Sequence, residues 1–124
     1  MVLVDTSVWV FHLREGCIDL EKLLNDGDVI CHPLIIGELA CGNLNKRSEI
    51  LSLLRSLPSA IEAEHEEVMQ FIERHRLMGR GLGYIDVHLL ASAVLTMTPI
   101  WTLDKRLNRA SERLGIGVGK KFFR

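Results

Sequence analysis

The chain has 124 residues, 48% of them hydrophobic and 25% charged, and a formal net charge of -1. That length suits a single domain spanning residues 1–124 that buries its own core, and the charge excludes a protein that coats nucleic acid by bulk electrostatics; it does not exclude a nuclease whose centre is itself acidic. No apolar run approaches the ~20 residues of a bilayer crossing, and the N-terminus lacks the basic stretch and small-residue site of a secretory leader, so a cytoplasmic protein without membrane attachment is expected.

Val2–Asp5 reads as a short strand that is apolar on both faces, as in a buried parallel sheet. Thr6–Leu13 follows as a helix opened by Asp5 or Thr6, and Asp19–Asn25 is a second helix stopped by the turn Asn25-Asp26-Gly27. Val29–Cys31 is a second strand. Pro33 suits the first turn of a helix over "PLIIGELACG", and another helix covers Ser48–Leu57 before Pro58. A short strand is expected over Ser59–Ala63. His65–Leu77 has an amphipathic pattern with Val68, Phe71, Ile72 and Leu77 on one face. The glycine-rich "MGRGLGYID" is a turn into "YIDVHLLASAVL", a helix apolar nearly all round and expected to be buried. "PIWT" is a strand, "LDKRLNRASERLG" a charged surface helix, and Ile116–Val118 a last strand. Strands alternating with helices predict a three-layer α/β/α sandwich around a mainly parallel sheet, with ligands at the carboxyl ends of its strands.

Four acids stand out by position. Asp5 ends the first strand, Glu38 lies inside "LIIGELAC", Asp86 opens the most apolar helix, and Asp104 follows "PIWT". Each aspartate could be only a helix N-cap, favoured there by hydrogen bonding and by the helix dipole. Capping does not explain Glu38, mid-helix among Ile35, Ile36, Leu39 and Ala40; a buried carboxylate needs a partner or a metal. Two carboxylates ~5 Å apart repel by roughly 3 kcal/mol at an effective dielectric near 20, so a converged set would take up protons or bind a divalent cation. Mg²⁺ and Mn²⁺ prefer such hard oxygen donors, and the hydroxyls of Thr6, Ser7 and Thr102 would support them.

The ordered pieces "LVDTSVW", "LIIGELACG", "GLGYIDVHLLASAV" and "IWTLDKRL" resemble a PIN-domain ribonuclease, and more narrowly a VapC-type toxin of a toxin–antitoxin pair. The resemblance covers the chain nearly end to end. It implies a Mg²⁺- or Mn²⁺-dependent endoribonuclease whose catalytic acids and metal ligands are Asp5, Glu38, Asp86 and Asp104. It also implies an RNA substrate (tRNA and ribosomal RNA recur in the family), homodimers, and inhibition by a cognate antitoxin reaching into the acidic groove. The family often carries a further Asp and a Phe where this chain has Arg106 and Leu107, which puts the weight of the fourth acid on Asp104. Lys105 and Arg106 are candidate contacts for RNA phosphate, with a solvated helix face as the alternative reading.

Other residues are read as structural. The cysteines Cys17, Cys31 and Cys41 form no C-x-x-C pair and are expected as small buried residues. The five histidines show no ligand spacing, and Trp9 and Trp101 are expected to pack rather than stack bases. Two rival functions remain. A PIN-like module could bind RNA or protein without catalysis, although four clustered acids argue against it. A phosphatase with an aspartyl nucleophile would show Asp-x-Asp early, where this chain has Ser7.

Overall fold

In the computed structural model, which describes residues 1–119, strand β1 (Val2–Val4) lies between β2 (Val29–Ile30) and β3 (Ile100–Trp101). Both pairings are parallel, with Leu3 opposite Ile30 on one side and Ile100 on the other. Every residue of the three strands is buried, which is why they read as unbroken apolar runs rather than alternating ones. Seven helices are described: α1 (Thr6–Glu15), α2 (Ile18–Asn25), α3 (Pro33–Ala40), α4 (Arg47–Ser56), α5 (His65–His75), α6 (Tyr84–Thr96) and α7 (Lys105–Arg113). Together they make the expected α/β sandwich. The basic tail residues Lys120, Lys121 and Arg124 lie outside the described residues.

The core joins the sheet to Val8 and Trp9 of α1, Ile35 and Leu39 of α3, Leu54 of α4, Val68 of α5, Leu89 and Leu90 of α6, and Leu107 of α7. Trp9 and Trp101 are both buried, so packing is their role. Cys17 and Cys31 are buried as expected. Cys41 is not: it caps the end of α3, where the helix runs out into an exposed loop. Helix α6 buries Val87 and the run Leu89–Ala93, but its last turn exposes Val94 and Leu95.

Two expected strands shrink to single bridges. Ser59 pairs only with Cys31, and Gly117 only with Ile100. After Ser59 the backbone is taken by side chains of α6: Thr96 Oγ1 accepts from the Ile61 N–H at 2.9 Å, and Ser92 Oγ from the Ala63 N–H at 3.1 Å. Those donors are satisfied without a ladder, so no strand propagates. Near Gly117, the Ile116 N–H is spent on the Ser111 carbonyl at the end of α7, leaving its own carbonyl to bond Ile100. Helix α5 stops short of Leu77 because Arg76 turns left-handed (φ 51°) and closes the helix end, with Leu77 folded back into the core.

Candidate functional site

Because β1 and β3 are neighbours and parallel, their carboxyl ends deliver the first residues of α1 and α7 to the same edge of the sheet. Asp5 and Asp104 stand there, and both are N-caps. Asp5 accepts from the Ser7 N–H at 3.4 Å, and Asp104 Oδ1 from the N–H groups of Arg106 and Leu107 at 2.9 and 3.0 Å. The capping reading is thus correct as geometry for these two and compatible with a further role; Asp86 is no N-cap, because Gly83 holds that position and Asp86 stands three residues later.

Asp5 is only 6% exposed and is the centre of a hydroxyl network. Its Oδ2 accepts from Thr102 Oγ1 at 2.7 Å and from Ser7 Oγ at 2.8 Å. Each hydroxyl in turn accepts a backbone N–H from the turn leading into α7: Leu103 donates to Ser7 Oγ at 2.9 Å, and Asp104 to Thr102 Oγ1 at 3.0 Å. Both hydroxyl protons therefore point at one carboxylate oxygen, which fixes the orientation of the Asp5 side chain. The neighbouring Thr6 hydroxyl reaches across to Glu38 Oε1 at 2.6 Å.

Asp86 sits in the first turn of α6, where its Oδ2 accepts from the Gly83 N–H at 2.9 Å. Burial pushes its carboxyl above the ordinary range, the Gly83 N–H pulls it back, and the charges of Asp5 and Asp104 raise it further. The three aspartates are thus near enough for their charges to be felt at Asp86, and Glu38 is tied to the start of α1 through Thr6.

Glu38 departs from expectation in one respect: it is exposed. On α3 the core-facing positions are Ile35 and Leu39, four apart, and Glu38 projects beside them toward α1. Its partner is the Thr6 hydroxyl, so it needs no buried charge to explain it. Lys105 and Arg106 are likewise exposed, at the start of α7. His88 is no rim residue open to substrate. Both its ring nitrogens are sealed without a partner, and the ring packs edge-on against that of His32, 5.1 Å away.

Among the described residues, no three acids, histidines or cysteines stand close enough to enclose a metal ion. The donor set nevertheless suits a hard cation that keeps several waters and takes only one or two carboxylates directly. Each of the four acids has one oxygen held by the protein: Oδ2 of Asp5, Oε1 of Glu38, Oδ2 of Asp86 and Oδ1 of Asp104. The other oxygen of each makes no hydrogen bond among the described residues, so four oriented oxygens remain for a ligand.

Basic residues of the stretches 74–80 and 105–113 meet in the folded chain. Arg80, Arg106, Arg109 and Arg113 line one cavity. The spacing of Arg106, Arg109 and Arg113 on one helix face was visible in the sequence; the approach of Arg80 was not.

A family model of the PIN domain matches residues 2–113. Over 122 residues the chain is 43% identical to Ribonuclease VapC32 of Mycobacterium tuberculosis, covering 98% of each protein, in strain H37Rv and in strain CDC 1551 alike. Its fold is shared by PAE2754 from Pyrobaculum aerophilum (TM-score 0.63, 19% identity, 91% of this chain and 90% of that one). It is shared also by FitAcB from Neisseria gonorrhoeae (TM-score 0.63, 22% identity, 90% and 94%). With a family match spanning nearly its whole length and a relative aligned end to end, the chain belongs to the PIN-domain family, as a VapC-type member.

Proposed function

We propose that this protein is a Mg²⁺- or Mn²⁺-dependent endoribonuclease, the toxin of a VapBC-type pair, held in check by its antitoxin. The observation that carries the reading is the division of each carboxylate into one oxygen fixed by the fold and one left open. Asp5 and Asp86 would hold the metal most directly, with Glu38 and Asp104 completing the pocket or acting through water. Such a cation, when bound, activates water and steadies charge on a phosphate oxygen. The chain's own work is orientation: Ser7 and Thr102 fix the Asp5 carboxylate, Thr6 fixes Glu38, and the Gly83 N–H fixes Asp86. Lys105 and Arg106 flank this pocket as contacts for RNA phosphate. The phosphatase alternative loses support, because Ser7 is committed to Asp5 and to the Leu103 N–H.

A mostly apolar groove of about 400 Å³ runs from Val10 and Leu13 of α1 past Leu39 to Leu44 and Ile50, with Glu38 on its wall. It suits the antitoxin, whose apolar segment would fill the groove while a basic side chain meets Glu38. The exposed apolar residues Val94, Leu95 and Met97 at the end of α6 support assembly as a homodimer, acting in the cytoplasm on structured RNA such as tRNA or ribosomal RNA. The deciding experiment incubates purified protein with structured RNA. Cleavage is expected with Mn²⁺ or Mg²⁺ and should stop in EDTA. Cleavage that survives chelation would remove the metal from the mechanism; intact RNA in the presence of either ion would favour a binding module without catalysis.

A further inference from the structure

Helix α7 carries Arg106, Arg109 and Arg113 at positions i, i+3 and i+7, which puts the three on one face. That face looks into a cavity of about 450 Å³ closed on its other side by Gly79 and Arg80. Two of the arginines are tethered to consecutive carbonyls at the end of α5: Arg113 Nη2 donates to the His75 carbonyl at 2.6 Å, and Arg80 Nε to that of Arg76 at 2.9 Å. The C-terminal end of a helix is electronegative, so it suits a cluster of cations. Arg106 is placed differently. Its side chain lies flat over the backbone of Gly81, where an added Cβ would fall 2.7 Å from Arg106 Cδ and 2.9 Å from Nη1. Gly81 also has φ +76°, so its turn favours glycine, and the bare backbone leaves room for the arginine resting on it.

No carboxylate lines this cavity, and none of the four arginines forms an ion pair among the described residues. Four guanidinium groups around one space repel each other, and in a chain of net charge -1 this is no overflow of general basicity. An anionic ligand would relieve that repulsion. The cavity adjoins the acidic centre through both of its walls: Arg106 is two residues beyond Asp104, and Gly81 two before Gly83, whose N–H holds Asp86. From Arg106 to Arg113 the helix rises about 10 Å, roughly the rise of three stacked nucleotides.

We propose that Arg80, Arg106, Arg109 and Arg113 form a binding pocket for backbone phosphates of the RNA strand, with Gly81 as the floor that positions Arg106. The assignment to RNA rests on the nuclease reading. Arginine forks grip phosphate in bidentate fashion without regard to base, so the pocket sets where the strand lies rather than which sequence it has. A phosphate held here fixes which bond of the strand reaches the four acids.

The test is binding, read apart from cleavage. Fluorescence anisotropy of a short fluorescein-labelled single-stranded RNA, in EDTA and across a salt series, compares the full chain with Arg106→Gln/Arg109→Gln. A control pair, Lys22→Gln/Arg55→Gln, makes the same change of charge on exposed faces of α2 and α4. The α7 pair is expected to bind roughly tenfold more weakly or worse at low salt. Its slope of log affinity against log salt should fall by about 1.4, since each phosphate contact on a single strand contributes about 0.7. Equal affinity and slope in the two pairs would overturn the pocket. So would a selective loss, in the α7 pair, of binding to labelled polyglutamate with RNA binding intact, which would assign the cavity to an acidic protein. Lost RNA binding in a chain that never cleaves RNA would sink the nuclease reading and leave the pocket standing; normal binding in a variant whose parent cleaves would do the reverse.

Discussion

Asp5 shows how one residue serves fold and site together, because its Oδ2 is saturated by two hydroxyls while Oδ1 stays open. Asp5→Asn keeps an acceptor for those hydroxyls and removes only the charge. Cleavage should be abolished with stability changed by about 1 kcal/mol or less, as thermal melts beside an RNA-cleavage assay would show. Activity that persists alongside a lower Tm would reduce Asp5 to a helix cap. Asp86 offers the converse case. Burial and the charges of Asp5 and Asp104 raise its pKa on folding, so its ionised form costs stability at neutral pH, and that cost disappears as pH falls through the folded value. Asp86→Asn is therefore expected to raise Tm at pH 7 while abolishing cleavage, with the gain vanishing in acid. A variant that melts lower than its parent at pH 7 would contradict the repulsion inferred among the three aspartates.

Elements are joined here by a histidine no motif announced. His32, fully buried, caps α3: its Nδ1 accepts from the Leu34 N–H at 3.1 Å, which leaves the ring proton on Nε2, facing Ser92 Oγ of α6 at 3.1 Å. Protonating Nδ1 would set two donors against each other. Burial, with the charge of His88 adding to it, lowers the His32 pKa from 6.5 to about 4. Between those values the unfolded chain binds a proton that the folded chain refuses, so stability falls as pH drops from about 6.5 to about 4. His32→Asn, which retains a capping acceptor but cannot reach Ser92, should melt lower at pH 7 and lose most of this pH dependence across the same window. An unaltered pH profile would show that another group governs it. The same region shows what sequence could and could not reveal. Pro33 marked the start of α3 plainly, being local chemistry. The strand expected over Ser59–Ala63 failed because Ser92 and Thr96, about thirty residues away, claim its N–H groups. Likewise the place of Glu38 inside an apolar helix was legible, whereas its exposure and its bond to Thr6 depended on where α1 lay.

Across the whole molecule, the acids come from four distant stretches and are brought to one side of the sheet because β1 sits between β2 and β3. Their convergence exists in the folded chain alone, so a divalent ion that bridges them binds the native state and not the unfolded one. Mn²⁺ at a hundred times its dissociation constant should stabilise the protein by about 2.7 kcal/mol, raising Tm in the wild type and hardly at all in Asp5→Asn. Scanning calorimetry with and without the ion tests this without any RNA, and an equal rise in both proteins would locate the ion elsewhere. The fold class was readable from ordered local motifs, and so was the placement of Asp5 and Asp104 at strand-to-helix junctions. The arginine cavity was not, since it is made by the end of α5 and a glycine turn closing on α7, a tertiary event with no periodicity of its own.

The pairing of β1 with β3 also has a consequence in time. Asp5 is synthesised well before its support, for the Thr102 hydroxyl that orients it lies 97 positions later. At about 5–20 residues per second, roughly 5–20 s of synthesis separate the two. Throughout that interval the nascent chain carries its first acid without its support and without Asp104. The setting of Asp5 is thus complete only once β3 and the turn after it have been made, and a chain cut short before β3 is expected to lack cleavage activity.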